Sequence, residues 1–178
     1  MEEYPDNPNF VYERGTILYK QNKMHLIEQS YISALQLGHP DRFNIFLRLG
    51  KAYQSLELWG NSKAAFCRAC AINKTSSVAW LGLGIVCMRR EDWDDAEHAL
   101  SQANLFDHNN TRIWGYLALL SLSNGRQIEK ANQCLREMLK YPNSDASLLK
   151  EIISTITFQN QRITAFDPLT NPATIEAL

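Results

Sequence analysis

The feature that most constrains this chain is a pair of amphipathic helices predicted over residues 77–103. The pattern places apolar or small residues on one face of each helix, with a turn between them near residues 90–92. In the first helix these residues are Trp80, Leu83, Gly84 and Cys87, and in the second Ala96, Leu100 and Ala103. Such a pair cannot bury its apolar faces alone, so it predicts neighbours of the same shape.

The same pattern recurs about every 34 residues along the chain. The earlier copies carry Phe46, Leu49, Gly50 and Tyr53, then Phe66 and Ala69, and before them Val11, Gly15 and Leu18, then Tyr31 and Ala34. The later copy carries Trp114, Leu117 and Ala118, then Ala131, Leu135 and Met138. This spacing resembles the tetratricopeptide repeat (TPR). We expect Phe46, Trp80 and Trp114 to be core residues, and the glycines to lie where paired helices approach closely.

The resemblance implies an all-α fold, a right-handed α-solenoid of about four TPR helix pairs with a C-terminal capping helix. The expected repeats cover about residues 8–42, 43–76, 77–110 and 111–143, after a flexible lead-in over residues 1–7. The capping helix is expected at 144–159, because Leu148, Leu149, Ile152, Ile153 and Ile156 share one face. Residues 160–178 contain Pro168 and Pro172 and are predicted to form an extended tail.

Composition excludes several classes of function. The 178 residues carry a formal net charge of −1, which provides no field to attract nucleic acid or an acidic membrane. No apolar run is long enough for a transmembrane helix, and the acidic N-terminus lacks the apolar stretch of a signal peptide. The four cysteines are then expected to be reduced thiols in the cytosol.

No pattern for catalysis, metal binding or cofactor binding is found. Cys67 and Cys70 form a C-x2-C, but a zinc ribbon needs a second such pair. Phosphate-binding glycine motifs and H-E-x-x-H are absent, and the acidic residues around Asp92 are interpreted as helix-capping groups. We therefore expect no metal, no cofactor and no enzymatic activity.

The resemblance implies that the first helices of the repeats line a concave groove. The register assigns twelve candidate partner-binding residues to it: Tyr12, Tyr19, Leu47, Lys51, Val78, Leu81, Ile85, Met88, Arg89, Arg112, Leu119 and Leu122. The half formed by repeats three and four is apolar. Two interpretations remain open: this strip binds a helix or peptide of a partner, or it packs against Ser144–Gln159 or the tail.

The tail itself offers Phe166, Leu169 and Ile175 as spaced apolar residues. Because a chain of its length could span roughly 60 Å at about 3.3 Å per residue, we expect part of it to dock on the solenoid of its own or a neighbouring molecule.

One TPR subclass holds C-terminal carboxylates of chaperones through Lys and Asn in the groove. At the corresponding positions this chain has Tyr12 and Thr16 in repeat one and Val78 and Gly82 in repeat three. The pattern is absent, which disfavours a carboxylate-clamp co-chaperone.

A narrower resemblance concerns WLGLGIVCMRREDWDDAEHALSQANLFDHNNTRIWGYLALLSL, residues 80–122, together with LLKEI at 148–152. These segments are similar to the C-terminal TPR region of a family of cilia- and flagella-associated axonemal proteins. The resemblance implies a protein-interaction scaffold of the axoneme that supports ciliary motility and binds a protein through the groove. The alternative is a cytosolic TPR adaptor or co-chaperone that binds peptide segments. Nucleic acid and membrane partners are not expected, and self-association through the tail is one of the two alternatives left open for its docking.

Overall fold

The computed structural model describes residues 7–123, 127–141 and 145–165, with side chains described up to residue 158. The described residues contain helices and no strand, as predicted. The nine helices are α1 (Pro8–Lys20), α2 (Met24–Gln36), α3 (Arg42–Ser55), α4 (Trp59–Ile72), α5 (Ser77–Arg89), α6 (Trp93–Phe106), α7 (Thr111–Ser123), α8 (Ile128–Leu139) and α9 (Ala146–Ala165). Each predicted repeat thus contains two helices.

The chain divides into two compact units. Unit 1 is Met1–His108 and includes α1 to α6, and unit 2 is Asn109–Leu178 and includes α7 to α9. Within unit 1 the helices of each pair pack on one another, and α3 also packs on α1 and α5. The first helices of these three repeats therefore form one continuous layer.

Glycine permits the close approach of the two helices in each of the first three pairs. A Cβ at Gly15 would lie 2.6 Å from Tyr31, and one at Gly84 would lie 2.6 Å from Leu100. Gly50 meets Phe66 in the same way, at 2.9 Å. Because those three large side chains are fully buried, they occupy the space that a Cβ would need. The sequence prediction for these glycines is confirmed.

The turns inside the first three repeats share one backbone geometry. The second residue after each first helix has a positive φ: 57° at Asn22, 58° at Glu57 and 61° at Glu91. The N–H of the third residue beyond the helix donates to the carbonyl of the residue five positions earlier, as from Asp92 to Cys87 at 2.9 Å. This is the Schellman arrangement, in which glycine is the favoured residue. In this chain asparagine and glutamate occupy the left-handed position.

Side-chain N-caps with one common spacing are present at three helices. Side chains of Asp41, Ser76 and Asp145 accept from backbone N–H groups three residues ahead, at 3.2 to 3.3 Å. Asp92 is different: it stands at the N-cap of α6 but makes no side-chain capping bond there. Asp92 therefore holds its predicted place at the start of α6, with Asp94 and Asp95 in the first turn, but its carboxylate binds Lys63 and Arg90, at 2.8 and 3.0 Å, rather than a backbone N–H.

Two further expectations need correction. Phe46 is buried, but Trp80 and Trp114 are half-buried, and the Trp80 indole donates to the Lys74 carbonyl at 2.7 Å. Helix α9 continues to Ala165 rather than ending at residue 159. Residues 160–165 contain neither Gly nor Pro, and the first helix-breaking residue is Pro168. The apolar tail residues Phe166, Leu169 and Ile175 lie outside the described residues.

Candidate functional site

The candidate residues predicted from the repeat register differ in exposure. On α1 and α3, Tyr12, Tyr19 and Leu47 are half-buried and Lys51 is exposed. On α5, Val78 and Arg89 are exposed and Met88 is half-buried. The remaining apolar candidates are buried, at 7% exposure for Leu81, 6% for Ile85, 8% for Leu119 and 1% for Leu122, and Arg112 is exposed.

Helix α5 is packed on several sides at once, so its part of the apolar strip is not an open surface. It packs on α3, α4 and α6 within unit 1. Gly82, which the register assigns to the groove, lies directly against Phe66 of α4. Leu81 and Ile85 are consequently unavailable to a partner in this conformation.

In unit 2, helix α9 packs on α7. Leu148 of α9 lies against Gly115, where any Cβ would collide with it, and Leu148 and Ile152 are 5% and 0% exposed. The sequence left two interpretations open for the apolar strip: binding a partner, or packing against a later part of the same chain. In unit 2 the second one applies, because α9 packs on α7.

The structure instead brings together a polar and aromatic cluster from α1, α2 and α3, which we call the Arg48 cluster: Tyr12, Thr16, Tyr19, Tyr31 and Arg48. One guanidinium nitrogen of Arg48, Nη1, donates to the hydroxyls of Thr16 (2.5 Å) and Tyr31 (3.2 Å). The guanidinium carbon lies 5.5 Å from the ring centroid of Tyr12 and 5.9 Å from that of Tyr19. These are cation–π distances, so both rings favour the charged group.

A second set of contacts fixes Tyr12. Its ring stacks on His39 with centroids 4.1 Å apart, and its hydroxyl donates to Asp41 at 2.9 Å. Burial and this hydrogen bond raise the pKa of Tyr12, so the phenol stays protonated. Burial alone would raise the pKa of Asp41, but hydrogen bonds from Asn44 and Tyr12 outweigh it and hold that pKa below its ordinary value. Asp41 is therefore an anion at neutral pH.

Sequence reasoning found Tyr12 and Tyr19 but missed Arg48. The repeat signature assigns meaning to the large and small positions, and Arg48 lies between two of them. Its contacts come from α1 and α2, so no local pattern reveals them. The sequence contained only a weak signal for Arg48. It is an arginine on one first helix, and the neighbouring first helix carries two tyrosines at groove positions.

The cysteines and acidic residues were also searched for metal-binding geometry. Among the described residues, Cys87, Asp92 and Asp95 place ligand atoms within 4.8 Å of one another, whereas the C-x2-C pair of α4 does not form such a group. The Lys63 ammonium already binds both carboxylates, at 2.8 and 2.7 Å. Burial raises the pKa of the Cys87 thiol to about 11 and that of Cys70 to about 12, which disfavours the thiolate that binds metal.

A cavity of about 470 Å³ lies between α2 and α4, with α3 as its floor. Ile32, Leu49 and Ala64 are among its mostly apolar lining residues, and Arg68 lies at its edge over the Phe46 ring, 5.4 Å from the centroid. The cavity is part of unit 1 and lies beside the second helices, whereas the Arg48 cluster belongs to the first helices and Tyr31. No helix of the described residues is long and apolar enough to cross a membrane.

The arrangement of helix pairs defines a TPR α-solenoid, and solved structures agree. The TPR protein YrrB superposes with a TM-score of 0.74 over 85% of this chain and 76% of its own, at 16% identity. MamA (residues 41 to the end) from Desulfovibrio magneticus RS-1 gives a TM-score of 0.71 over 76% of this chain and 75% of its own, at 15% identity. At these identities the likeness concerns the fold alone.

Sequence comparison identifies the family. Residues 5–176 match the family described as the cilia and flagella-associated protein 70 C-terminal domain, and the chain belongs to that family. It is 44% identical over 108 residues to the cilia- and flagella-associated protein 70 of Macaca fascicularis and of Homo sapiens. The match covers 61% of this chain but only 10% of either relative, so the chain spans a small part of their length.

Proposed function

We propose that this chain is a non-catalytic interaction module that binds a protein partner through the face formed by α1 and α3. The observation that carries the proposal is the Arg48 cluster, where Tyr12, Tyr19 and Arg48 are only half-buried on the first helices of repeats one and two. A half-buried guanidinium between two tyrosines adds little to a packed core. Protein interfaces, by contrast, are enriched in Tyr and Arg. Leu47 and Lys51 continue the same face along α3.

We further propose that the module acts in a ciliary or flagellar axoneme and supports ciliary motility. Membership of the cilia and flagella-associated protein 70 family supports this placement. Because the matched relatives are about ten times longer than the match, the module would serve as one binding element of a larger scaffold. The partner would then be a peptide or helix of another axonemal protein.

The test is affinity capture from isolated axonemes with quantitative mass spectrometry. Two variants alter the proposed face, Tyr19→Ala and Lys51→Glu, and Arg68→Glu on α4 is the matched control, since Lys51 and Arg68 are both exposed cations. We expect the first two to lose the same axonemal proteins and the control to retain them. If neither loses any partner, the α1–α3 face is not the binding surface.

A second arm separates the axonemal role from the alternative of a cytosolic TPR adaptor or co-chaperone. The chain is fused to a fluorescent protein and expressed in ciliated cells, with Lys51→Glu as the comparison. Enrichment along the axoneme that Lys51→Glu abolishes supports the axonemal role. Diffuse fluorescence together with capture of cytosolic chaperones would support the alternative. Light scattering of the full chain and of residues 1–165 tests self-association through the tail.

A further inference from the structure

We propose that the cavity between α2 and α4 is a binding site for a medium-chain fatty acid. The carboxylate of this ligand lies at Arg68, and its alkyl chain lies along α3. The inference is independent of the function proposed above, because the cavity lies beside the second helices and not on the α1–α3 face. It adds a small ligand to a module that is otherwise argued to bind protein.

The size and the lining of the cavity suit a small apolar ligand. Its volume of about 470 Å³ falls within the range of small-molecule sites, about 300–1,000 Å³. The floor is formed by Phe46, Leu49 and Tyr53 of α3, none of which is more than 8% exposed. Ile32 on one wall is 39% exposed and Ala64 on the other is exposed, so the cavity is open to solvent. A ligand that covers these apolar groups removes them from water, which favours binding.

The two ends of the cavity differ in charge. At one end the guanidinium carbon of Arg68 lies 5.4 Å from the centroid of the Phe46 ring. Among the described residues, no carboxylate lies within 4.0 Å of this guanidinium. At the other end the hydroxyl of Tyr53 donates to the carboxylate of Glu28 at 2.7 Å. A ligand with one negative charge is therefore attracted to the Arg68 end and repelled from the other end.

Hydrogen-bond donors for a carboxylate are present at the Arg68 end. The guanidinium fork matches the two oxygens of a carboxylate with two parallel hydrogen bonds. Gln36, the last residue of α2, also lines the cavity, and its amide makes no hydrogen bond within the described part of the chain. Because an ionised carboxylate accepts about four hydrogen bonds, it can bind both side chains. None of the lining residues is acidic, so a cationic ligand has no partner there.

The length and the polarity of the cavity favour an alkyl chain. From Asn61 to Arg68, α4 rises about 10 Å at about 1.5 Å per residue, the length of an extended chain of about eight carbons. An extended peptide would bring backbone N–H groups that need acceptors. The lining side chains offer few acceptors, the amides of Gln36 and Asn61 and the hydroxyl of Tyr53. An alkyl chain carries no such groups and leaves none unsatisfied.

The experiment titrates the full chain with soluble probes and observes methyl groups by nuclear magnetic resonance. The reporters are the methyl signals of Ile32 and Ala64 in the cavity, and that of Val78 on α5 serves as the reference outside it. The probes are hexanoate, octanoate, decanoate and dodecanoate, neutral octanamide, cationic octylammonium and a synthetic peptide of residues 166–178.

We expect octanoate to shift the cavity methyls saturably, with a Kd on the order of 1 mM, and to leave Val78 unchanged. From hexanoate to decanoate, affinity should rise about tenfold for each two methylenes. Dodecanoate should bind no more tightly than decanoate, because the cavity has a finite length. Octanamide and octylammonium should bind at least threefold more weakly than octanoate. Burial of apolar surface alone would favour the neutral amide, so this preference measures the contribution of Arg68.

Three variants locate the ligand. Arg68→Gln should reduce octanoate affinity to that of octanamide, whereas Arg14→Gln, at an exposed arginine of α1, should leave it unchanged. Ala64→Phe should fill the cavity and abolish binding, and circular dichroism checks that the chain remains helical. Unsaturable shifts, equal affinity for octanamide, or full octanoate affinity in Arg68→Gln would each overturn the proposal. Tighter binding of the 166–178 peptide than of decanoate would also overturn it and identify the tail as the occupant.

The two proposals can fail separately. Arg68→Glu, the control in the capture experiment, should lose octanoate and keep the axonemal proteins. If Arg68→Glu loses those proteins, the cavity takes a protein and the fatty-acid inference is wrong. If octanoate binds as expected while Tyr19→Ala and Lys51→Glu keep every partner, the cavity is a fatty-acid site and the proposed function is wrong.

Discussion

At the scale of single residues, the glycines between paired helices set the tightest contacts in the fold. A Cβ at Gly84 would lie 2.6 Å from Leu100 Cγ, and Leu100 is fully buried and cannot swing away. We expect Gly84→Ala to lower the free energy of unfolding by about 1–3 kcal/mol through overpacking, measured by urea titration. Gly60→Ala is the control, because its nearest neighbour is the flexible end of Arg90 at 3.7 Å. Equal losses in both variants would contradict the packing argument.

The left-handed residues in the turns allow a stabilising prediction. Glu91 has a φ of 61°, which a non-glycine residue adopts at a cost of about 1–2 kcal/mol. Glycine removes that strain but adds freedom to the unfolded chain, worth about 0.4–1 kcal/mol. We expect Glu91→Gly to raise the free energy of unfolding by about 0.5–1 kcal/mol, measured by thermal and urea unfolding.

The control for this turn is Glu13→Gly, an exposed glutamate inside α1. There the backbone is right-handed and glycine costs about 1 kcal/mol. A stabilising effect at both positions, or at neither, would show that the left-handed geometry at Glu91 carries no strain.

At the scale of the elements, an ion pair links α4 of repeat two to α6 of repeat three. Lys63 binds Asp92 and Asp95, and these hydrogen bonds raise the pKa of Lys63, while Lys63 and Arg90 lower that of Asp92. The lowered carboxyl pKa means that the stability contributed by Asp92 is present above its ordinary value of 3.8 and is lost as the pH falls further. Because the pKa of the Lys63 ammonium is raised, the stability that Lys63 contributes is lost only at alkaline pH, above its ordinary pKa of 10.5.

The resulting prediction concerns the difference in stability between wild type and Lys63→Gln. We expect wild type to be the more stable at pH 7 and the difference to shrink steadily as the pH falls below about 4. Urea unfolding at a series of pH values measures it. Lys150→Gln, an exposed lysine on α9, should show no such pH dependence of its own. A difference that persists at pH 2.5 would mean that Lys63 stabilises the fold through its alkyl chain alone.

The helices and their pairing could be predicted because they depend on a local period. Gly84 and Leu100 stand at fixed separations, so one repeat predicts the next. The burial of Leu81 and Ile85 on α5 could not be predicted. The repeat register assigns one packed face to each first helix, whereas α5 is packed by three neighbouring helices. Arg48 was missed for a related reason: its partners Thr16 and Tyr31 lie on two other helices, and only the folded chain brings them together.

At the scale of the whole molecule, the two units differ in how much apolar surface each can bury by itself. Unit 1 contains three complete helix pairs, and in repeat proteins stability comes from intrinsic repeat terms plus neighbour interfaces. Unit 2 contains one pair and α9. We expect residues 1–108 to unfold cooperatively when expressed alone, and residues 109–178 to have a lower melting temperature or remain unfolded. Circular dichroism on both fragments tests this, and a cooperative, equally stable 109–178 fragment would contradict it.

The contrast between the two sides of unit 1 has a mechanical consequence. Each first helix packs directly on the next one, from α1 to α3 to α5. The second helices α2 and α4, by contrast, are separated by a cavity of about 470 Å³ that α3 closes on one side. A load along the stack would therefore open or close the gap between the second helices, with the contacts of α3 acting as the hinge. Stiffness would depend on what fills that gap. A larger side chain at Ala64, which lines it, should make the unit resist bending and slow amide hydrogen exchange in α2 and α4.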